Sequence, residues 1–422
     1  MSKTIKEIAK IISDNGGRLY LVGGAVRDEL LGIDNHDEDY CVTGISHDDF
    51  LKLFPEAFCR GKSFEVFDMD GKEFALARTE RKTGIGHKGF SIETGRDITI
   101  LDDLKRRDIT INSMAKDVLT GEIIDPYGGV NDLKDKIIRA TSDCFLEDPL
   151  RAYRAARFAC KFNFTIEEDT IKKMKKLKED LKSLSEERVF DEFRRAINCD
   201  TPSLFFRMLN KADILDVHFI EIYKLVGALQ PEKYHPEGDA FEHTMLAVDK
   251  CAELTCDEKI RFSVLVHDLG KGVTPKEEYP HHYNHDLNGI DEVGKFSSRL
   301  KMPRDWEEYG KVACREHMIG GIFYKMTPAK QVSFIERVSK TKIGLEGLEL
   351  VVESDRNCRG VKPQTIKFAK LGKYVLDSID GNYIKEHFKV NSGLKFKEKL
   401  HEQRIQFLKK LYDNGEIHKF IK

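Results

Sequence analysis

Apolar and polar positions follow two different patterns along the 422-residue chain, and the change lies near residue 137. Before it, short apolar runs such as residues 19–22 alternate with stretches of helical spacing, which predicts strands interleaved with helices. Segments 64–67 and 73–78 are predicted to pair around an Asp-Gly turn. After residue 137, apolar positions keep helical spacing and strand signals nearly vanish. The pattern therefore predicts an α+β fold in which a sheet-containing part is followed by helices.

The first predicted strand leads into a pair of glycines. Gly23 and Gly24 follow the apolar run, and residues 25–31 have the composition of a helix that Gly32 ends. A helix that starts directly after a glycine turn offers N–H groups and a positive dipole end to a phosphate. We therefore expect a phosphate-binding turn here, with Arg27 in the first turn of the helix.

The next predicted strand carries two carboxylates. Asp37 and Asp39 are alternate residues, so they should project to the same face of the strand. Converging carboxylates beside a phosphate cradle are typical ligands of Mg²⁺, and two-metal sites activate an attacking oxygen and stabilise a leaving one. The complete P-loop pattern, in which another glycine lies five residues before the Gly-Lys-Ser/Thr glycine, does not occur, so the cradle is of another class.

Two later segments add basic residues to this part of the chain. Segment 102–117 is predicted to place Arg106, Arg107 and Asp108 at the start of a helix, and guanidinium groups match phosphate oxygens in a bidentate way. Segment 77–90 is rich in glycine and basic residues and poor in apolar ones. We expect it to be a loop near the site.

The order of a strand, a Gly-Gly turn, Arg-Asp on a short helix and Asp-x-Asp on the next strand resembles the nucleotidyltransferases of the polymerase-β superfamily. It is most similar to the branch that contains bacterial CCA-adding enzymes and poly(A) polymerases. The resemblance implies a polymerase-β-like nucleotidyltransferase head with a small mixed sheet, followed by an all-α neck, body and HD-domain tail. It also implies that Asp37 and Asp39 hold two Mg²⁺ as the catalytic pair. The triphosphate would then lie against Gly23, Gly24, Arg27 and Arg107.

The motif EDPLR at residues 147–151 begins a predicted amphipathic helix. It is similar to the EDxxR motif of class II tRNA nucleotidyltransferases, whose Asp and Arg serve as a protein template for the incoming base. Asp148 could accept a hydrogen bond from the exocyclic amine of cytosine or adenine, and Arg151 could donate to the neighbouring ring acceptor. Uracil and guanine present the opposite pattern there. By the resemblance Arg154 joins this base-binding pair, and with Arg157 the arginines form a basic stripe.

The last part of the chain carries histidines and aspartates in an order that matches the HD phosphohydrolase superfamily, around an adjacent His267-Asp268 pair at a predicted helix end. His, Asp and water are suitable ligands for a first-row divalent metal such as Ni²⁺, Mn²⁺ or Co²⁺. By this resemblance the first metal is held by His243, His267, Asp268 and Asp355, and a second position is completed by His285 and His317. His282 is a weaker candidate.

Composition limits the possible location of the protein and the way it could bind nucleic acid. The formal net charge is only −2, so any nucleic-acid footprint is a local patch. The nine cysteines form no CxxC pair and no stretch reaches the length of a membrane span. We expect a cytoplasmic protein with no membrane contact, either a monomer or a homodimer. By the resemblance its partners are tRNA, CTP and ATP.

The predicted domains follow from these motifs. They are a nucleotidyltransferase head (1–137), a neck and body that bind the nucleobase and tRNA (138–230), an HD phosphohydrolase domain (231–350) and a helical C-terminal tail (351–422). Residues 229–239 contain two prolines and no apolar periodicity, so they are interpreted as a linker.

Alternative functions of two classes remain open. One is a related polymerase: a poly(A) polymerase, or an enzyme that adds only CC or only A. The HD tail argues against poly(A) polymerase, and the intact loop 77–90 argues against a CC-only enzyme, whereas an A-only enzyme stays possible. The other class is a metal phosphohydrolase whose head serves only for binding, and the intact Asp37/Asp39 pair argues against it.

Overall fold

The computed structural model describes residues 3–34, 38–60, 66–82, 90–233, 235–358, 367–388, 390 and 393–421. These residues form two compact units. The first holds the residues up to Arg188 together with Arg207–Ile214, and the second holds Val189–Phe206 and the residues from Leu215 onward. Within the described ranges, no helix combines the length and the apolar character needed to cross a membrane.

Strands and short helices alternate in the first unit. Its strands are β1 (Arg18–Val22), β2 (Asp39–Thr43), β3 (Phe58–Arg60), β4 (Val66–Met69), β5 (Lys72–Leu76), β6 (Arg78–Lys82), β7 (Phe90–Thr94), β8 (Ala115–Asp117), β9 (Ile123–Ile124), β10 (Ile137–Ile138) and β11 (Thr165–Ile166). Its helices are α1 (Ile5–Asp14), α2 (Gly24–Leu31), α3 (His47–Leu53), α4 (Ile100–Lys105), α5 (Gly129–Asp135), α6 (Leu150–Phe162), α7 (Glu168–Lys176) and α8 (Lys178–Leu181). The residues of α9 (Glu186–Ile197) and α10 (Ser203–Lys211) are divided between the two units.

A seven-stranded mixed sheet organises the first unit, in the order β3-β4-β5-β2-β1-β8-β9. β2 runs parallel to β5, whereas β1 is antiparallel to both β2 and β8. Leu21 lies opposite Tyr40, and Asp39 lies opposite Glu73. The C-terminal end of β1 and the N-terminal ends of β2 and β5 therefore lie at the same end of the sheet. The predicted α+β fold with a small mixed sheet is confirmed.

Apolar residues of the central strands alternate between two buried clusters, as the period of a strand requires. Leu19 and Val42 belong to one cluster, and Val22 and Cys41 belong to the other. The predicted hairpin is present as β4 and β5. Its turn contains Asp70, whose φ of +52° is tolerated by aspartate better than by most residues.

The predicted position of the two arginines relative to a helix is wrong. Helix α4 begins at Ile100, because Thr99 and Asp102 form a reciprocal capping box. It ends at Lys105, so Arg106 and Arg107 follow a helix rather than start one. The two arginines therefore lie at the C-terminal end of α4.

The second unit is built from helices joined by turns and loops in the residues that the structure describes. Its helices are α11 (Leu215–His218), α12 (Ile220–Tyr223), α13 (Ala240–Leu254), α14 (Glu258–Val266), α15 (His285–Arg299), α16 (Arg304–Gly321), α17 (Pro328–Val338), α18 (Gly344–Asn357), α19 (Ala369–Ser378), α20 (Gly381–His387), α21 (Leu394–Asp413) and α22 (His418–Ile421). A buried aromatic cluster supports α14 to α16, and it contains Phe193, Phe206, Phe219, Phe262, Phe296 and Trp306. The predicted helical character of the later chain is confirmed.

Residues 229–239 are a closed loop of the second unit and not the extended linker that their composition suggests. Leu229 and Asp239 pair as an antiparallel bridge, so the two ends of the segment meet. The Gln230 N–H also donates to the Gly238 carbonyl at 3.1 Å. Prolines and a lack of apolar periodicity are equally compatible with a loop that is closed by its own backbone, which sequence alone does not reveal.

Candidate functional site

Gly23 lies at the turn between β1 and α2 and leaves no room for a side chain. Its φ is +67°, in the left-handed region that favours glycine. A Cβ at this position would lie 2.7 Å from a guanidinium nitrogen of Arg107. The Gly23 N–H already donates to the Met114 carbonyl at 3.1 Å, so contacts with a phosphate would fall to N–H groups further into α2.

Asp103 is a buried carboxylate that holds both arginines behind this turn. Its two oxygens accept from Arg106 at 2.6 Å and from Arg107 at 3.0 Å. Burial alone would raise the pKa of Asp103, but the positive charges of Arg107 and Arg106 hold this pKa below its ordinary value. Two guanidinium groups thus share one buried carboxylate beside the glycine turn.

A cavity of about 170 Å³, here called the head cavity, opens beside the turn. Its lining includes Asp39, Glu73, Arg78, Arg106 and Arg107. Asp39 is the first residue of β2 and is exposed, and the parallel register of β2 with β5 brings Glu73 next to it. Glu73 was not predicted, because the sequence carries no signal for a pairing between strands this far apart.

The second predicted carboxylate, Asp37, lies outside the described residues, as do residues 83–89 of the predicted basic loop. The flanking parts of that loop form the antiparallel pair β6 and β7. The shared face of Asp37 and Asp39 therefore stays a prediction.

A chain of polar contacts joins the glycine turn to helix α6. Arg27 is only 4% exposed, and its guanidinium donates to Asp28 at 2.8 Å and to the side chain of Asn112. The Asn112 amide donates to Asp108 at 3.2 Å, and Arg154 donates to the other oxygen of Asp108 at 2.7 Å. Arg27 thus lies beneath the turn and is held by neighbouring side chains, while Asp108 connects the turn to the predicted base-binding helix.

The arginines of α6 are not a solvated stripe. Arg151 is 8% exposed and Arg157 is 7% exposed, whereas about a third of the Arg154 side chain is exposed. Burial alone would raise the pKa of Asp108, but Arg154, the Asn112 amide and Arg151 lower this pKa to about 2. The positive charge of the helix is therefore partly neutralised by one buried carboxylate.

Asp148 and Arg151 lie together at the start of α6, and each is oriented by other groups. One oxygen of Asp148 accepts from the Leu150 N–H at 3.0 Å, and the other accepts from Arg188 at 2.8 Å. Arg151 donates to the Cys144 carbonyl at 2.5 Å. Arg188 was not assigned a role from the sequence.

The second unit brings together all six residues that were predicted as HD-domain metal ligands. Asp268 is 1% exposed and lies at the centre of the group, here called the histidine cluster. Histidine Nε2 atoms surround its carboxylate, from His267 (3.2 Å), His285 (3.5 Å), His317 (3.5 Å) and His243 (3.7 Å). The sixth residue, Asp355, places an oxygen 3.1 Å from Nε2 of His243.

The histidine rings are turned so that Nε2 faces inward. Backbone carbonyls can only accept, so a ring whose Nδ1 bonds to one carries its proton there and keeps a lone pair on Nε2. The three such bonds run from His267 to Val264 (2.6 Å), from His285 to His282 (2.7 Å) and from His317 to Cys314 (2.9 Å). Among the described groups, Nε2 of His267 and of His285 has no hydrogen-bond partner. Inward lone pairs beside two carboxylates fit a divalent first-row metal.

Glu237 belongs to the histidine cluster and was not predicted. Its Oε1 lies 2.9 Å from Nδ1 of both His243 and His235. A carboxylate behind a metal-binding histidine fixes the ring and raises the basicity of Nε2. Sequence reasoning missed Glu237 because it lies in the segment interpreted as a linker. His282 bonds to Thr274 and the Leu229 carbonyl, and so supports the loop rather than the cluster.

Charge in the histidine cluster is strongly coupled. Burial alone would raise the pKa of Asp268, but His267 and Lys271 hold this pKa well below its ordinary value. The Lys271 ammonium lies 2.6 Å from Asp268. Burial alone would lower the pKa of His243, but hydrogen bonds with Asp355, Cys358 and Glu237 raise this pKa well above its ordinary value. The cluster is thus built to hold compensating charges out of water.

Comparison with known proteins gives consistent results for both halves of the chain. Residues 19–139 match the family of the poly A polymerase head domain, and residues 163–225 match the family described as the probable RNA and SrmB-binding site of polymerase A. The multifunctional CCA protein of Shewanella denitrificans is 43% identical over 307 residues, which is 71% of this chain and 74% of that protein.

Solved structures of low sequence identity share the fold. The Thermotoga maritima CCA-adding enzyme complexed with tRNA is 20% identical with a TM-score of 0.63, over 96% of this chain and 90% of that chain. A complex of a CCA-adding enzyme with ATP is 20% identical with a TM-score of 0.62, over the same shares of both chains.

Proposed function

Because the chain belongs to the family of the multifunctional CCA proteins, we propose that it adds C, C and A to the 3′ ends of tRNAs. The nucleotides come from CTP and ATP, and no nucleic-acid template is used. In each cycle the 3′-hydroxyl of the RNA attacks the α-phosphate, a new phosphodiester bond forms and pyrophosphate leaves. The observation that carries the proposal is the head cavity, which Asp39 and Arg107 both line and where Arg107 lies against the Gly23 turn.

The residues around the head cavity have distinct roles in this proposal. Arg107, together with the N-terminus of α2, neutralises the triphosphate. Arg27 supports the turn from below, since its guanidinium lies 3.4 Å from where a Cβ of Gly24 would be. Asp39, together with Asp37, would hold Mg²⁺, and the bound cation would supply charge neutralisation and an activated 3′-hydroxyl. Carboxylate oxygens are the ligands that Mg²⁺ prefers, so the donor type fits.

The start of α6 would select the base. Asp148 accepts from the exocyclic amine that cytosine and adenine share, and Arg151 donates to the adjacent ring nitrogen, with Arg154 alongside. Arg188 fixes the Asp148 carboxylate at 2.8 Å, so the acceptor is oriented before a nucleotide binds. A base with the opposite hydrogen-bond pattern leaves these groups unpaired, which is the strongest available source of discrimination.

One experiment separates this proposal from its close alternatives. The protein is given a tRNA that lacks its CCA end and, separately, a tRNA that ends in CC, with each nucleoside triphosphate alone and with all four together, and the products are sequenced. Addition of CCA supports the proposal. Products that end in CC, in a single A added only to tRNA-CC, or in a run of A would instead indicate a CC-adding enzyme, an A-adding enzyme or a poly(A) polymerase.

A second activity is proposed for the histidine cluster, namely hydrolysis of a phosphate ester at an RNA end or in a small nucleotide. The inward Nε2 atoms around Asp268 carry this proposal. His243, His267, Asp268 and Asp355 would hold a first divalent metal, and His285 and His317 a second. Bound there, Ni²⁺, Mn²⁺ or Co²⁺ would polarise the ester and activate water. A 2′,3′-cyclic phosphate is the leading candidate substrate, because its opening and removal would free the hydroxyl that the head extends.

This second activity is tested by supplying Mg²⁺, Mn²⁺, Ni²⁺ and Co²⁺ in turn and measuring cyclic-phosphate opening and phosphate release. No hydrolysis with any of these metals would reduce the cluster to a structural role. The boundaries of the four predicted domains, the cytoplasmic location and the choice between monomer and homodimer stay predictions.

A further inference from the structure

We infer that a cavity beside the histidine cluster binds the nucleoside part of the phosphate ester, an inference that rests on the hydrolytic activity proposed above. The cavity measures about 540 Å³, which is in the range of pockets that take small ligands. We call it the proline cavity, and its lining includes Gln230, Pro231, His235, Pro236, Tyr279 and Pro280. All of these residues belong to the second unit.

Two side chains connect the proline cavity to the histidine cluster. The Oε1 of Gln230 accepts from Lys271 at 2.6 Å, and the same ammonium lies 2.6 Å from Asp268. On the other side, the His235 ring has its centroid 5.0 Å from that of His243. The wall of the proline cavity is therefore one side chain away from the histidine cluster on two sides.

Gln230 presents a buried donor that lacks an acceptor. The residue is 6% exposed, and its Nε2 has no hydrogen-bond partner among the described groups. The orientation of the amide is fixed by chemistry, because an ammonium group can only donate and so must face the oxygen. A buried, unpaired N–H costs about 1–3 kcal/mol. A ribose oxygen or a base acceptor in the cavity would remove that cost.

The walls of the proline cavity suit a flat base better than a phosphate. Tyr279 offers an aromatic ring, and three prolines add apolar faces. Aromatic rings stack on any nucleobase, whatever its sequence. None of the described residues that line the cavity is Lys or Arg, and Glu232 adds a carboxylate to its wall. The phosphate is therefore directed away from the cavity, toward Lys271 and the histidines.

The test compares two substrates with the same reacting group, using the full-length protein and the metal that gives turnover. Adenosine 2′,3′-cyclic phosphate contains a nucleoside, whereas glycerol 1,2-cyclic phosphate has the same five-membered ring without one. Tyr279→Ala should raise KM for the adenosine substrate about tenfold, which corresponds to the loss of one stacking contact. It should leave kcat/KM for the glycerol substrate within about twofold, and Tyr279→Phe should restore the KM.

Tyr283→Ala is the matched control, because Tyr283 is 67% exposed and lies near Tyr279 in sequence but does not line the cavity. A second readout is the binding of adenosine to the metal-free protein by equilibrium dialysis, which should weaken in Tyr279→Ala and not in Tyr283→Ala. Addition of CCA to tRNA should be the same in all variants.

Each other outcome overturns the inference in a distinguishable way. If Tyr279→Ala slows both cyclic phosphates equally, or behaves like Tyr283→Ala with both, the nucleoside does not occupy the proline cavity although the hydrolase stands. If the wild-type protein opens neither cyclic phosphate with any metal, the proposed hydrolytic activity fails and the inference fails with it.

Discussion

Asp108→Asn should destabilise the first unit by removing one charge and almost no volume. Asp108 is 6% exposed, and its carboxylate accepts from Arg154 at 2.7 Å, from the Asn112 amide at 3.2 Å and from the Ile109 N–H at 2.9 Å. An asparagine in the same orientation would turn its NH₂ group toward the Arg154 guanidinium. Two donors would then face each other where a charged pair had been, and α6 would lose its tie to the glycine turn.

The magnitude follows from the pKa of Asp108, which is lowered from an ordinary value of 3.8 to about 2. A shift of this size corresponds to about 2 kcal/mol of folding free energy at neutral pH. Because the folded-state pKa lies below the unfolded one, this stabilisation is fully present above about pH 5. It is lost progressively as the pH falls from there toward 2. The loss of folding free energy caused by Asp108→Asn should therefore shrink as the pH falls through the same range.

Hydrogen exchange of the amides in α6 is the appropriate assay, since it reports the opening of the first unit directly. Fluorescence of the single tryptophan, Trp306, reports the second unit and should change little. Asp169→Asn is the matched control, because it also neutralises one aspartate, but this aspartate and its partner Lys172 are exposed at the surface. The control should leave the folding free energy nearly unchanged, because both groups of its ion pair are exposed. The reasoning would be refuted if Asp108→Asn lost no more folding free energy than the control. It would also be refuted if the loss stayed constant from pH 7 to pH 3.

Three further predictions address the two sites. Gly23→Ala should lower the rate of nucleotide incorporation at least tenfold, because the new Cβ would lie 2.7 Å from Arg107 at a φ of +67°. Steady-state kinetics with CTP measure this rate, and an unchanged rate would contradict the proposed role of the turn. Asp148→Ala should narrow the preference for CTP and ATP over UTP and GTP more than it lowers kcat. Competition between labelled nucleotides measures this preference. An unchanged preference would mean that Asp148 positions the phosphate or the backbone and does not select the base. His267→Ala combined with Asp268→Ala, or removal of metal from the histidine cluster, should abolish hydrolysis and spare CCA addition once Mg²⁺ is restored; hydrolysis that survives would place it elsewhere.

The features that sequence predicts well are those set by neighbouring residues. The β1 strand, the glycine turn and the helix that Gly32 ends follow from local composition, and the structure confirms each of them. The six residues predicted as HD-domain ligands also have a sequence signal, because their order along the chain matches a known superfamily. The structure brings these residues together, and their role as metal ligands stays a prediction.

The residues that sequence missed act through contacts between distant segments. Asn112 contacts both Asp108 and Arg27, which lies 85 positions before Asn112 in the chain, and no local pattern marks Asn112. Glu237 orients His243 from a loop whose composition suggests a linker. Glu73 reaches the head cavity only through the parallel register of two strands. In each case a single polar residue gains its role from tertiary packing, which periodicity and propensity do not encode.

The most direct test of the central claim is the single-turnover rate at which Asp39→Asn adds CMP to a tRNA that lacks its CCA end. The matched control is Asp48→Asn, which changes an exposed aspartate in the first turn of α3. Loss of a carboxylate that holds Mg²⁺ should lower the rate on the order of 10³-fold, or about 4 kcal/mol of transition-state stabilisation, while the control keeps the wild-type rate. Near-normal incorporation by Asp39→Asn would contradict the assignment of the head cavity as the site of nucleotide transfer.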